Sequence, residues 1–218
     1  MVLHLSFDFD YTLADSSDGT VVCANYAMAA LKMQQCSPSL IKRSVGLSLE
    51  KTFEFLSGFV SSSPAAAEFK RHFLDRAEQV MLQHIHFYSG TRTALDALKR
   101  EGHYISIVST KFKQRIEEAL ERDGLDPFID DIVGGDCVQK NKPDPEGLLL
   151  AMQSSGIPAD RTIYVGDSVS DGECAQRAGV TFIAILSGTT SASQLTEWNP
   201  SRVLDSVEQL ATMEITQR

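Results

Sequence analysis

Paired cysteines, long apolar runs and an excess of positive charge are all missing from this sequence. Its 218 residues include four cysteines, Cys23, Cys36, Cys137 and Cys174. None lies in a CxxC or CxH spacing, which argues against a zinc site. A chain of this length needs no disulfide framework, and scattered single thiols suit a reducing cytosol. No apolar stretch approaches the ~18 residues of a membrane span. The opening run Met1 to Asp8 is short, lacks a basic lead and ends in a carboxylate, unlike a signal peptide. The 20 Lys and Arg residues are outnumbered by 29 Asp and Glu, a formal charge of -9. An acidic chain repels nucleic acid and anionic membrane at long range, so neither is expected as a partner. Attraction for an anionic substrate has to be built locally.

What is present is ordinary for a globular protein. Apolar residues make up 43% and charged residues 22%. The length allows one domain, or a core with one modest insertion. Val2 to Phe9 reads as a short buried strand, broken by Asp10-Tyr11-Thr12. From about Asp15 to His86 the spacing is helical, with segments near 18–34, 38–45, 48–59 and 65–84. Phe69, Phe73, Ala77, Val80 and Met81, for example, recur at one helix face. Ser61-Ser62-Ser63-Pro64 breaks one helix and starts the next.

After Tyr88-Ser89-Gly90 strands and helices alternate. Helices are expected over 91–101, 111–122, 144–155 and 169–178. Strands are expected over Tyr104 to Val108, Ile129 to Val133, Thr162 to Val165 and Thr181 to Leu186. A further helix and a strand near Val203-Leu204 finish the pattern. The expected fold is α/β: a Rossmann-like, doubly wound parallel sheet over 1–14 and 87–218, with an inserted all-helical cap over 15–86.

Ligands of such folds bind at the carboxyl ends of the strands. Four polar clusters stand at strand ends or helix starts here: Asp8-Phe9-Asp10-Tyr11-Thr12, Ser109-Thr110-Lys111, Lys142-Pro143-Asp144-Pro145, and Gly166-Asp167-Ser168 with Asp171. A carboxylate can attack phosphorus and form an aspartyl-phosphate. A second carboxyl can protonate the leaving group and then activate water. Carboxylates that close repel one another unless a cation lies among them, and hard oxygen donors point to magnesium. Ser109 and Lys142 can bind phosphoryl oxygens.

These clusters, in this order, resemble the haloacid dehalogenase superfamily of phosphohydrolases. The DxDxT motif is Asp8-Phe9-Asp10-Tyr11-Thr12, the second motif ends at Ser109, the third carries Lys142, and the GDxxxD motif runs from Gly166 to Asp171. The helical stretch 15–86 stands where that superfamily places its type 1 cap, and the nearest branch is the phosphoglycolate phosphatase-like enzymes. One departure is Tyr11, where that branch usually has glycine; a pocket wall and a solvated loop tip are both open to it.

The resemblance implies a magnesium-dependent phosphatase of the cytoplasm acting on a small phosphate monoester, phosphoglycolate-like or a sugar phosphate. It implies that Asp8 is nucleophile and metal ligand. Asp10 is general acid/base, with its backbone carbonyl on the metal. Asp167 is a metal ligand and Asp171 orients the metal shell. Ser109 and Lys142 hold the phosphoryl group, helped by backbone N–H groups of Phe9 and Thr110. In the cap, Arg43 beside the Gly46 loop is expected to read the distal end of the substrate.

A phosphomutase of the β-phosphoglucomutase type and an inorganic pyrophosphatase use the same core and remain alternatives. Asp10 argues against a dehalogenase. The intact nucleophile argues against a non-catalytic binding protein, since a binder has no need of one. A monomer and a homodimer are both compatible with the sequence.

Overall fold

A computed structural model describes residues 1–213; the last five residues of the expected core, 214–218, lie outside the described residues. The chain enters through β1 (His4–Phe7) and a two-residue strand β2 (Ala14–Asp15). Four helices follow: α1 (Ser17–Ala30), α2 (Pro38–Lys42), α3 (Leu49–Ser57) and α4 (Pro64–Val80). It returns through β3 (His86–Phe87). Then come α5 (Thr91–Arg100), β4 (Tyr104–Val108), α6 (Lys113–Arg122), β5 (Asp131–Val133), α7 (Glu146–Ser155), β6 (Thr162–Gly166) and α8 (Val169–Ala178). The pattern closes with β7 (Thr181–Ile185), α9 (Ala192–Thr196) and β8 (Arg202–Leu204). The chain divides into two compact units, Met1–Ala14 with Phe87–Arg218, and Asp15–His86.

The first unit is the expected α/β core. Six parallel strands lie in the order β5-β4-β1-β6-β7-β8, with helices flanking the sheet. The chain moves outward from β1 through β4 to β5, then crosses to β6 on the other side of β1. The reversal opens a crevice at the carboxyl end of β1, where ligands of such sheets bind. Side chains alternate across the sheet. Leu5, Phe7, Ile105, Ile107, Ile163 and Val165 are all buried and line one face. On the other, Val108, Tyr164, Phe182 and Ala184 pack with Leu148 and Ala151 of α7 and with Cys174 and Ala175 of α8.

Most elements fall where the spacing predicts, and the differences have local causes. The first strand is shorter than Val2–Phe9 because the chain turns after Phe7. Leu13 and Ala14 N–H both close back on the Phe9 carbonyl, at 3.0 and 3.1 Å.

Between Asp15 of β2 and His86 of β3, the second unit is helical. Ser37, Ser48 and Ser63 cap α2, α3 and α4, each accepting from the backbone N–H three residues on. Phe53, Phe69 and Phe73 form a continuous aromatic core, with ring centroids 5.4 and 6.0 Å apart. The helix expected over 65–84 ends at Val80, and Met81–His84 tightens to a 3-10 turn. The turn presses on α1 at Gly19, where a Cβ would lie 2.8 Å from the Met81 sulfur. Among the described residues no helix is long and apolar enough to cross a membrane.

One polar inclusion interrupts the core sheet. The fully buried His4 ring bridges the Ser106 hydroxyl at 2.8 Å and the Ser155 hydroxyl at 3.3 Å, edge-on to Tyr104. Burial lowers its pKa to about 4, against the opposite pull of Asp131 and Asp130. A depressed folded pKa means stability held above pH ~6.5 and lost as pH falls toward 4. Between pH 7.5 and 5 the unfolding free energy should therefore drop by about 2 kcal/mol on account of His4. Denaturant titrations of wild type and His4→Gln at both pH values test this. The gap between the two proteins should narrow by that amount at pH 5, and a constant gap would refute it.

Candidate active site

Every expected site residue except Arg43 belongs to the core unit, on loops or, for Asp171, in the first turn of α8, at the carboxyl end of its sheet. Asp8 is the first residue beyond β1, and its N–H donates to the Val165 carbonyl at 2.8 Å. The loop then turns at Tyr11, which has φ of 62°. That left-handed conformation costs a residue with a Cβ about 1–2 kcal/mol and costs glycine almost nothing, which accounts for the glycine usual there. Tyr11 keeps the turn nonetheless. It is buried rather than a solvated tip, its N–H donates to the Ala14 carbonyl at 2.6 Å, and its carbonyl accepts from the Ser187 hydroxyl.

Lys142 stands at the centre. Its Nζ lies 2.7 Å from Asp8 Oδ1, 2.6 Å from Asp171 Oδ1 and 3.0 Å from the Tyr164 hydroxyl. Tyr164 in turn donates to the Val108 carbonyl at 2.8 Å, so its oxygen is turned to accept from the ammonium. Asp171 is wholly buried in the first turn of α8. Its Oδ2 accepts from Ser168 N–H at 3.0 Å and Ser168 Oγ at 2.6 Å, and Ser168 Oγ accepts from Asp171 N–H at 3.2 Å. This reciprocal cap locks the carboxylate and lets it hold Lys142. Asp167 accepts from the Thr12 hydroxyl at 3.3 Å.

Ser109 ends β4 and is buried. Its N–H donates to the Val133 carbonyl at 3.1 Å, and its hydroxyl accepts from Lys111 N–H at 3.3 Å. Thr110 follows it on the same loop. Arg43 lies in the helical unit, at the end of α2, with its guanidinium 5.7 Å from the centroid of the Phe55 ring.

Three contributors escape a reading of the motifs. Lys111 pairs with Asp10, Nζ to Oδ2 at 3.0 Å, with both side chains under a tenth exposed. Tyr164 lies beneath Lys142. Gly188 allows the backbone after β7 to approach Asp167, because a Cβ there would lie 1.8 Å from Oδ2. Lys111 adjoins the Ser109-Thr110 pair, the one hint the sequence carried. The other two have no local signal.

The electrostatics are unbalanced. One oxygen each of Asp8, Asp167 and Asp171 lie within 4.8 Å of one another, and all three residues are buried. Lys142 supplies one positive charge against three negative. Burial raises the Asp8 pKa to about 6, with Lys142 opposing and Asp171 and Asp10 adding repulsion. Burial, then Asp171 and Asp8, push Asp167 well above the ordinary carboxylate range. Burial alone would lower the Lys142 pKa, but Asp171 and Asp8 hold it well above normal, so its ammonium is permanent. Such a cluster is suited to a divalent cation, for which Asp8 and Asp167 are the better donors because both Asp171 oxygens are already engaged.

Comparisons with known proteins point to one family. Residues 5–185 match the family model of haloacid dehalogenase-like hydrolases. The chain is 28% identical to the phosphoglycolate phosphatase of Pseudomonas syringae pv. tomato, over 94% of its own length and 77% of the relative's. It is 27% identical to that of Vibrio cholerae, over 93% and 92%. A solved structure from Bacteroides fragilis, described as a haloacid dehalogenase-like hydrolase, superposes with a TM-score of 0.92 at 34% identity. The match covers 96% of this chain and 100% of that one.

Removing Lys142 would leave Asp8 and Asp171 buried without their cation. Lys142→Met should destabilise the protein by roughly 3–5 kcal/mol at pH 8, a fall in melting temperature of roughly 10 °C. The loss should shrink at pH 5. The Asp8 pKa is raised, so its carboxyl takes a proton as pH drops through about 6 and no longer needs a counter-charge. Calorimetry at the two pH values checks this, and a loss that is larger at pH 5 would contradict the pairing.

Proposed function

The chain belongs to the haloacid dehalogenase-like hydrolases and is a phosphatase, and we propose that it hydrolyses a small phosphate monoester through an aspartyl-phosphate on Asp8, with Mg2+ as its cofactor. The observation that carries this reading is the pairing of Asp8 with Lys142 at 2.7 Å inside a buried group of carboxylates. A carboxylate held by a permanent ammonium beside a strand end is a fixed nucleophile, and the same ammonium can accept phosphoryl oxygens.

In the proposed first step an Asp8 oxygen attacks phosphorus in line, and the bond between phosphorus and the ester oxygen breaks. Asp10 gives the departing oxygen its proton. Ser109, Lys142 and the Thr110 N–H hold the remaining phosphoryl oxygens. In the second step Asp10 takes a proton from water, the water oxygen attacks phosphorus, and inorganic phosphate leaves Asp8 as a carboxylate again. Asp8, Asp167 and the Asp10 backbone carbonyl would hold Mg2+, which when bound neutralises charge on the phosphoryl oxygens. The donors fit that ion: all are hard oxygens, and the raised carboxylate pKa values mark a charge deficit that a dication fills. Phosphoglycolate, the substrate named for the relatives, is the first candidate here. The scattered single cysteines Cys23, Cys36, Cys137 and Cys174 support a cytoplasmic placement.

Two measurements test the reading. Asp8→Asn should retain under about a hundredth of wild-type kcat, a barrier increase above ~2.7 kcal/mol, and should carry no hydroxylamine-labile phosphate after rapid acid quench with substrate. Turnover near the wild-type rate would rule Asp8 out as nucleophile. Magnesium should also raise the melting temperature by roughly 5 °C at 100-fold excess over its Kd at pH 8. At pH 5 the increment should be smaller, because protons compete for Asp8 and Asp167; no increment at either pH would argue against the metal.

A further inference from the structure

We propose that Lys111 is a substrate subsite: its ammonium exchanges the Asp10 carboxylate for a second oxyanion carried by the leaving group, close to the ester oxygen. The inference rests on the phosphatase reading above and narrows its substrate class to phosphate esters or anhydrides with a negatively charged leaving group.

The geometry begins with the reach of one side chain. The backbone N–H of Lys111 donates to the Ser109 hydroxyl at 3.3 Å, so its stem starts on the loop proposed to grip the phosphoryl group. Its head ends on Asp10, Nζ to Oδ2 at 3.0 Å, with Nζ 5.8 Å from the centroid of the Phe9 ring. Asp10 is the group proposed to face the leaving oxygen. Lys111 therefore spans from the phosphoryl end of the site to the leaving-group end.

The chemistry of the pair explains why the residue is a lysine. Both side chains are nearly buried, and removing an ammonium from water costs several kcal/mol unless an anion meets it. A neutral amide could aim Asp10 by a hydrogen bond, but it would leave that buried carboxylate without a counter-charge and could not serve an anion of the substrate. The positive charge is accounted for if an anion arrives there. In a chain of net charge -9, attraction for an anionic substrate must come from particular buried cations. Lys142 is already shared among Asp8, Asp171 and Tyr164.

Lys111 is the second cation, and Asp10 is the placeholder that keeps it compensated before substrate binds. An incoming oxyanion takes the place of the Asp10 carboxylate, so the ammonium keeps an anion throughout. The exchange also frees the Asp10 oxygen held by Lys111 to turn to the ester oxygen. A neutral leaving group cannot drive the exchange, and the pair stays closed.

The test compares 2-phosphoglycolate and inorganic pyrophosphate with 2-hydroxyethyl phosphate, which has the same ester oxygen and no second anion. Wild type should favour at least one of the two anionic substrates over the neutral one by at least about tenfold in kcat/KM, and which of the two is favoured tells carboxylate from phosphoryl tails. Lys111→Met should cut kcat/KM for the favoured anionic substrate by at least about 30-fold and should shrink its advantage over the neutral one by at least about tenfold. Lys111→Arg, which keeps the charge, should recover part of the loss. A wild-type ratio near one overturns the proposal without any variant, which covers the case in which Lys111→Met fails to fold. Equal losses on all substrates, the mark of a residue that merely positions Asp10, overturn it too. Hydrolysis of 2-hydroxyethyl phosphate by wild type in either case leaves the phosphatase reading standing. If wild type hydrolyses none of the three and never carries phosphate on Asp8, both fall together.

Discussion

Three carboxylates, Asp8, Asp167 and Asp171, are buried around a single ammonium, Lys142. Like charges in a medium that screens poorly cannot all stay ionised without compensation. Much of the architecture around the sheet edge serves to hold this imbalance in place. Asp171 is locked by its reciprocal cap with Ser168, Lys142 is supported from below by Tyr164, and Asp167 is steadied by Thr12. The deficit of positive charge is the physical reason that the site suits a cation.

The fold supplies what such a cluster needs. Parallel strands end together, so loops distant in sequence meet at one edge without long excursions. Asp8 is tied to the neighbouring strand through the Val165 carbonyl, and Ser109 to the Val133 carbonyl. These backbone bonds make the carboxylate and the hydroxyl extensions of the rigid sheet. A site placed this way can hold its groups in register at small cost, because the strands are already ordered by burial. The left-handed turn at Tyr11 shows the other side of this economy. A strained residue is kept because the loop it closes aims Asp8 and Asp10 into one space.

How much could be read in advance differs from residue to residue. The alternation after Gly90 named the strands and helices of the core, because period-2 and period-3.6 patterns are local. Asp8, Asp10, Ser109, Lys142, Asp167 and Asp171 were legible as chemical types at strand ends or helix starts. Lys111 stood beside Ser109 in plain view, yet nothing local distinguishes a buried lysine from a solvated one. Tyr164 reads as an ordinary strand aromatic, and Gly188 as an ordinary loop glycine. The effect of Tyr11 was half visible: the departure from glycine could be seen, and the φ it forces could not.

The sequence alone determined the order of elements, the acidic balance of the chain and the identity of the reactive groups, since each depends on residue type and near-neighbour spacing. The tertiary structure decided which charges face each other. Lys142 meets Asp8 and Asp171, Lys111 meets Asp10, and the backbone at Gly188 closes on Asp167, across long stretches of chain. Pairing energy depends on distance and on the exclusion of water, and both exist only once the strands have been packed side by side.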